Sequence, residues 1–230
     1  MTAPAEASHT VYEQGSLIKA HGPINTDPIA STPSTRLDLD PIWKAVVECT
    51  RVRGNDIHLP IVVAYAERLC AAHPDADADI VLVSTLLHDT GWKRVDESKI
   101  ISEGFSGDWR KAQIRFEHEK KGCEIAREVL PELGHGADFV ERVCAIIDGH
   151  DTRQVAHSLE DALMRDADRL WRFDQVGIAL ASSWFGMTPD QYTDRLEVEI
   201  VPELHTEAGH AMATADLARS RALLRTDILR

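Results

Sequence analysis

The feature that most constrains the fold is an apolar run at residues 80–87, with the sequence IVLVSTLL. As a helix, this segment would be apolar nearly all round, and such a helix is buried on most sides. We therefore predict a central buried helix over residues 77–89, ended by Gly91. Its last turn would hold His88 and Asp89 on a packed element, which is the rigid support that a metal ligand needs.

Helical patterns continue through the chain after residue 36. Apolar residues recur at helical spacing from residue 41 and again over residues 57–72, 113–130, 136–149, 158–171 and 207–229. Thr188 and Pro189 predict the cap and the first residue of a further helix. Short β-branched runs lie inside longer segments of helical length, so no strand candidate survives. The predicted fold class is all-α.

Two segments lack this periodicity. Residues 1–36 carry four prolines among Ser, Thr, Ala and Gly, which predicts a flexible N-terminal arm. Residues 93–111 are polar and contain two glycines, which predicts a loop over the functional site. The rest, residues 37–230, is expected to form one all-α domain with core motifs at 57–173 and C-terminal helices at 174–230. The last helix is predicted to pack within the domain or to mediate oligomerisation. The protein partner that we consider is therefore a second copy of the chain, in a homodimer.

Composition excludes several classes of function. The net charge of −13 argues against binding to a nucleic-acid polymer or an anionic membrane, and it requires a local basic pocket for any small anionic substrate. Four cysteines without a CxxC pair predict free thiols in a reducing compartment. No apolar stretch reaches the roughly 18 residues that span a bilayer. These features predict a cytoplasmic protein.

Histidines and aspartates recur near the ends of the predicted helices. They are His58, His88, Asp89, His118, His150 and Asp168. Imidazole and carboxylate together suit Fe, Mn, Zn or Ni, whereas Mg or Ca would favour an all-oxygen set. The pattern therefore predicts a transition-metal site. The alternative is that the histidines are polar residues at helix ends.

Two motifs resemble those of the HD-domain superfamily of metal-dependent phosphohydrolases. Residues 86–91, LLHDTG, are similar to its central motif, and residues 166–170, DADRL, are similar to its closing motif. With His58, the ordered set covers about residues 57–173. The resemblance implies an all-α HD-domain helical bundle, to which the C-terminal helices are an addition.

The resemblance also implies a ligand set. The family's minimal pattern binds one metal ion through His58, His88, Asp89 and Asp168. Members with a dinuclear centre add two histidines, for which His118 and His150 stand at the expected places, and their central aspartate bridges the ions. We therefore expect two divalent transition-metal ions, Fe or Mn, with Ni or Zn as alternatives. Asp166 would then hydrogen-bond a ligating histidine.

Basic residues near these motifs are candidates for substrate contact. Lys93 and Arg94 follow the central motif and could neutralise a phosphate oxygen, although solvated charges at a helix end are the alternative. Arg169 follows Asp168, and Arg115 belongs with Arg110 and Lys111 to a basic patch that begins in the predicted loop. We assign catalytic roles to Asp89, Lys93 and Arg169, and substrate contacts to Lys93, Arg94 and Arg115.

Three functions fit these features. The leading hypothesis is hydrolysis of a small phosphoester, with nucleotides among the candidates, by metal-activated hydroxide. The second is a mixed-valent diiron oxygenase of the same superfamily, acting on a phosphonate or polyol. The third is a noncatalytic metal-binding module, against which the complete ligand set argues. The sequence does not separate the first two.

Overall fold

Helices supply the regular secondary structure in the part of the chain that the computed structural model describes, residues 37–104 and 111–224. The α-helices are α1 (Asp40–Val46), α2 (Asn55–Ala72), α3 (Ala78–Leu87), α4 (Glu97–Gly104), α5 (Gln113–Glu132), α6 (Ala137–Ile147), α7 (Leu159–Leu170), α8 (Gln175–Trp184), α9 (Pro189–Arg195) and α10 (Glu207–Leu224). These residues contain no strand, which confirms the all-α fold class. The predicted arm, residues 1–36, lies outside the described residues.

Helix α3 is the central helix of the fold. All eight residues from 80 to 87 are buried, as their nearly continuous apolar character predicts. Val81 and Leu82 contact a core shared with α2 and α7 to α10, while Val83 and Leu86 contact a second core shared with α1, α5 and α6. The helix ends at Leu87, so His88 and Asp89 follow it directly rather than forming its last turn.

A third, smaller core explains an error in the sequence prediction. Val52, Trp92, Ile100 and Ile114 pack together beside the 3₁₀ turn Thr90–Arg94. The loop predicted over residues 93–111 is wrong for residues 97–104, which form α4. Its anchor in this core is Ile100, which is 3% exposed, and a single buried position gives no periodic signal. Residues 105–110 lie outside the described part of the chain.

Helix α10 packs against α7 and α9, and α8 packs against the 3₁₀ turn Trp171–Phe173 that follows α7. Thr188 caps α9 in a capping box with Gln191, and Pro189 is the first helical residue, as predicted. Before α10, the Asp166 carboxylate accepts hydrogen bonds from the backbone N–H groups of His205 and Thr206 at 2.7 and 2.9 Å. The expectation that Asp166 bonds a ligating histidine is therefore wrong, since it holds the start of α10.

The described residues belong to one compact unit with bounds at residues 36 and 230. The four cysteines are free, as predicted from their spacing. Within residues 37–104 and 111–224, no helix is both long enough and apolar enough to cross a membrane.

Candidate metal centre

The six predicted ligands converge on one buried cluster. His58 lies in the first turn of α2, His118 lies in α5, and Asp168 lies in the last turn of α7. His88 and Asp89 follow α3, and His150 follows α6. None of the six is more than 7% exposed. Helices α2, α5, α6 and α7 pack around α3, and this packing brings the six side chains together.

One half of the cluster contains His58, His88 and Asp168. The Nε2 atoms of the two histidines are 3.3 Å apart, and Asp168 Oδ1 lies 3.3 and 3.5 Å from them. Ligand atoms about 2 Å from one tetrahedral ion lie roughly 3.3 Å apart, because the tetrahedral angle fixes their separation. These side chains could therefore hold one metal ion with little movement.

The other half contains His118, His150 and Asp151. The Nε2 atoms of these histidines are 3.4 Å apart, and Asp151 Oδ2 lies 3.7 and 3.8 Å from them. The three residues could hold a second ion by the same argument. Asp151 was not predicted, although its position directly after His150 was a signal that could have been used.

Asp89 faces both halves. Its Oδ2 atom is 3.4 Å from His58 Nε2, and its Oδ1 atom is 3.5 Å from His118 Nε2 and 3.7 Å from His150 Nε2. The indole N–H of Trp92 donates to Oδ1 at 2.8 Å. With one oxygen toward each half, Asp89 has the arrangement of a bridging carboxylate.

The charge state of Asp89 suits that role. Burial raises the pKa of its carboxyl, but Arg53 and His88, together with hydrogen bonds from His118 and His150, outweigh burial and hold the pKa well below the usual range. Burial also raises the pKa of the Asp168 carboxyl, but the guanidinium of Arg172 and hydrogen bonds from His58 and His88 outweigh burial and hold this pKa well below the usual range. Both groups are therefore ionised at neutral pH.

Backbone carbonyls orient two of the imidazoles. His88 Nδ1 donates to the carbonyl of Thr85 at 2.7 Å, and His150 Nδ1 donates to the carbonyl of Ile147 at 2.8 Å. A proton on Nδ1 leaves the Nε2 lone pair directed into the cluster, which is the orientation of a metal ligand. Burial lowers the pKa of His150, but Asp151, Asp89 and Glu119 outweigh burial and raise it to about 10, so an ion would compete with a proton there.

Two tryptophans enclose the cluster. The ring of Trp92 stacks on His118 with a centroid distance of 3.9 Å, and the ring of Trp171 meets His58 edge-on at 4.6 Å. Both tryptophans are fully buried. These contacts fix the planes of the two imidazoles and keep solvent from those sides of the site.

Arg53 and Arg172 are further site residues that the sequence did not reveal. Arg53 Nη1 lies 3.4 Å from Asp89 Oδ2, and Arg172 Nη1 lies 3.7 Å from Asp168 Oδ2. Arg53 has a φ of +59°, a left-handed conformation that is costly for a residue with a side chain and is found at functional sites. No motif marks either arginine, since their positions depend on tertiary packing.

The basic residues that were predicted to have catalytic or substrate-binding roles separate into two groups. Arg115 and Arg169 are buried beside Asp151 and Asp168, where they line a cavity. Arg115 pairs with Asp151 and donates to the Gly104 carbonyl at 2.8 Å, and Arg169 lies 3.3 Å from Glu203.

Lys93 and Arg94 lie elsewhere. Both are exposed, and Arg94 donates to Glu128 on the outer side of α5 at 2.8 Å. The structure does not bring either residue to the cluster. They end the 3₁₀ turn Thr90–Arg94, from which their side chains reach solvent and the acidic face of α5.

Fold and site together define a class: all-α proteins in which helix ends bring histidines and aspartates into one buried cluster. This chain belongs to the HD domain family, whose model matches residues 55–172, just over half of the sequence. The family predicted from the two motifs is therefore confirmed.

A solved structure has a similar fold. The crystal structure of a predicted HD superfamily hydrolase from an uncultured Thermotogales bacterium is similar with a TM-score of 0.55 and 22% sequence identity. The similarity covers 83% of this chain and 91% of that one, and it supports the fold. No curated protein matches the chain.

Proposed function

We propose that this protein is a metal-dependent hydrolase of a small phosphoester that holds two divalent transition-metal ions, with Fe and Mn as the leading candidates. The observation that carries the proposal is the position of Asp89, whose two carboxylate oxygens face different pairs of histidines. A carboxylate so placed lowers the cost of holding two cations close together.

Each half of the cluster offers a suitable donor set. His58, His88 and Asp168 would bind one ion, and His118, His150 and Asp151 would bind the other, with Asp89 shared between them. Mixed imidazole and carboxylate donors suit transition metals. A pair of ions held by these residues would supply a hydroxide nucleophile near neutral pH and would stabilise charge on the leaving oxygen.

The arginines around the cluster would bind the anionic substrate. Arg115, Arg169 and Arg172 line the same cavity as Asp151 and Asp168. A guanidinium offers paired N–H donors that match the oxygens of a phosphoryl group. Their charges would orient the phosphorus toward the cluster and would stabilise the additional negative charge of the transition state. Lys93 and Arg94 have no role in this proposal, because both are exposed to solvent and lie away from the metal cluster.

Metal analysis combined with a substrate panel tests this proposal. The protein would be produced in iron-supplemented and manganese-supplemented media, and its ion content would be measured by elemental analysis. We expect about two ions per chain. Hydrolysis of a panel of phosphomonoesters and nucleotides should be lost on chelation and restored by the metal.

The diiron oxygenase is the alternative outcome of this test. Two irons with a mixed-valent electron spin resonance signal and oxygen-dependent turnover of a phosphonate or polyol, without phosphoester hydrolysis, would refute the hydrolase. Absence of any stoichiometric metal would refute both enzymes and the metal-binding module, whereas two ions without turnover of any of these substrates would leave the module.

A further inference from the structure

A cavity lies beside the metal cluster, between α7 and the C-terminal helices. Asp151 and Asp168 of the cluster form part of its lining. A smaller cavity at the cluster itself is lined by Asp89 and shares Arg115, Asp151, Asp168 and Arg172 with the first. A molecule in the larger cavity would therefore lie next to the candidate metal ligands.

The polar side of the cavity is rich in arginines, and each of them is paired with a carboxylate: Arg115 with Asp151, Arg169 with Glu203, Arg172 with Asp168 and Arg195 with Glu199. Four arginines and three carboxylates line it, and two of these carboxylates, Asp151 and Asp168, belong to the cluster. The guanidinium of Arg169 lies in this lining although the residue is only 8% exposed. Buried guanidinium groups next to candidate metal ligands favour an anionic guest.

The remaining lining is aromatic and aliphatic. Trp184 and Phe185 are half-buried, and Phe185 stacks on Tyr192 with a centroid distance of 6.1 Å and an angle of 16°. Arg195 lies 4.2 Å above the Phe185 ring. The Tyr192 hydroxyl has no hydrogen-bond partner among the described residues, although Tyr192 is 2% exposed. Such a wall suits the apolar part of a ligand and offers it one hydroxyl.

The aromatic wall is not part of the matched family segment. Trp184, Phe185 and Tyr192 come from α8, α9 and the connection between them, whereas the HD domain match ends at residue 172. The metal ligands and the wall thus come from different parts of the chain, which meet at this cavity.

We infer that the substrate is amphipathic: its anionic group lies on the arginines beside the cluster, and a compact aryl or branched apolar group lies against Trp184, Phe185 and Tyr192. This inference rests on the proposed function, because the anionic group is taken to be a phosphoryl group. A fully hydroxylated sugar phosphate would leave the apolar wall without a matching partner.

Calorimetric titration with two phosphonates tests the inference. Phenylphosphonate and methylphosphonate carry the same anionic group and no ester to hydrolyse, so they report binding apart from turnover. With the full chain loaded with Mn²⁺, phenylphosphonate should bind at least about tenfold more tightly, since its ring buries apolar area that a methyl group does not.

Two variants test whether the aromatic wall causes the preference for phenylphosphonate. Phe185→Ala should reduce the ratio of the two dissociation constants severalfold, whereas Val198→Ala should leave it unchanged. Val198 lies in the turn that follows α9 and is 75% exposed, so it is a matched apolar control in the same region.

The outcomes separate this inference from the proposed function. Equal affinity for the two phosphonates, no binding of either, or an undiminished preference in Phe185→Ala would overturn the amphipathic substrate even if phosphoesters are hydrolysed. A strong phenyl preference without hydrolysis of any phosphoester would support the binding site and count against the hydrolase.

Discussion

Asp89 is the residue on which both halves of the cluster depend. Each of its oxygens lies within 3.5 Å of a histidine Nε2 atom in a different half. His118, by contrast, belongs to one half, in which it lies beside His150, Asp151 and one oxygen of Asp89. The two residues should therefore have unequal effects on metal content.

Replacing them separately tests this difference. We expect Asp89→Ala to lose both ions and all activity, because it removes the shared ligand and a buried negative charge. His118→Ala should lose about half of the metal. Elemental analysis of purified protein measures both, with the exposed Asp138→Ala as the control. Unchanged metal content in either site variant would refute the corresponding assignment.

Metal content tests whether Asp151 is a ligand of the second ion. It pairs with Arg115 and also lies 3.7 Å from His118 Nε2. If Asp151 is a ligand of the second ion, Asp151→Ala should lose about one ion per chain while Asp148→Ala, an exposed aspartate three residues earlier, keeps two. A full complement of metal in Asp151→Ala would restrict Asp151 to positioning Arg115.

The site residues differ in how visible they are from sequence. His58, His88 and Asp168 stand at helix ends in an order that the HD motifs fix, so the sequence was sufficient to bring them together as candidates. Arg53 depends on a left-handed backbone conformation before α2, which no motif encodes. Arg94 was expected near the cluster because of its position in the chain, but an acidic residue on α5 binds it at the surface.

At the scale of elements, the site depends on a close approach between the 3₁₀ turn Thr90–Arg94 and α5. A Cβ atom on Gly91 would lie 1.9 Å from the carbonyl oxygen of His118 and 2.4 Å from the backbone nitrogen of Gly122. No side chain fits there, so glycine lets the central motif reach the helix that carries His118.

Gly91→Ala should therefore separate these elements. We expect a loss of folding stability of about 2 to 4 kcal/mol, because backbone atoms cannot move aside as a flexible side chain can. Gly136→Ala is the control, since a Cβ atom there meets nothing within 4 Å; it should cost about 1 kcal/mol or less. Urea denaturation measures both, and equal stability of the two variants would contradict this account.

The start of α10 depends on the Asp166 carboxylate. It accepts three hydrogen bonds, from the backbone N–H groups of His205 and Thr206 and from the Thr206 hydroxyl, at 2.7 to 2.9 Å. Asp166→Asn should lower the free energy of unfolding by about 2 to 3 kcal/mol, because an amide that accepts less well leaves buried donors unpaired. Exposed Asp75→Asn should change little. Thermal denaturation compares the two variants. A decrease in Tm as small as that of the control would show that α10 docks without this carboxylate.

The sequence predicted helices best where many of their residues are buried. Helix α3 has eight consecutive buried residues, and its sequence left little alternative to a central helix. Helix α4 is held through Ile100 in a small core with Trp92, which tertiary contacts create and periodicity does not reveal. The cap at Thr188 was visible because its bonds are local.

At the scale of the whole molecule, metal binding should be coupled to folding. The candidate ligands come from five helices or their ends, spread from residue 58 to residue 168, and they form one cluster only in the folded chain. Free metal at about 100 times its dissociation constant would stabilise the native state by roughly 2.7 kcal/mol. For a chain of 230 residues this corresponds to a rise in Tm of about 5 to 10 °C.

Chelation followed by calorimetry tests this coupling. Removing metal with a chelator should lower the Tm, because clustered carboxylates then repel each other in a buried site without a compensating cation. Adding Mn²⁺ back should restore the Tm in the wild type and leave Asp89→Ala unchanged, since only the wild type retains the shared ligand. Asp138→Ala should respond like the wild type. If Mn²⁺ raised the Tm of Asp89→Ala equally, the stabilising ion would bind elsewhere on this acidic chain, and the cluster would lose its thermodynamic support as a metal centre.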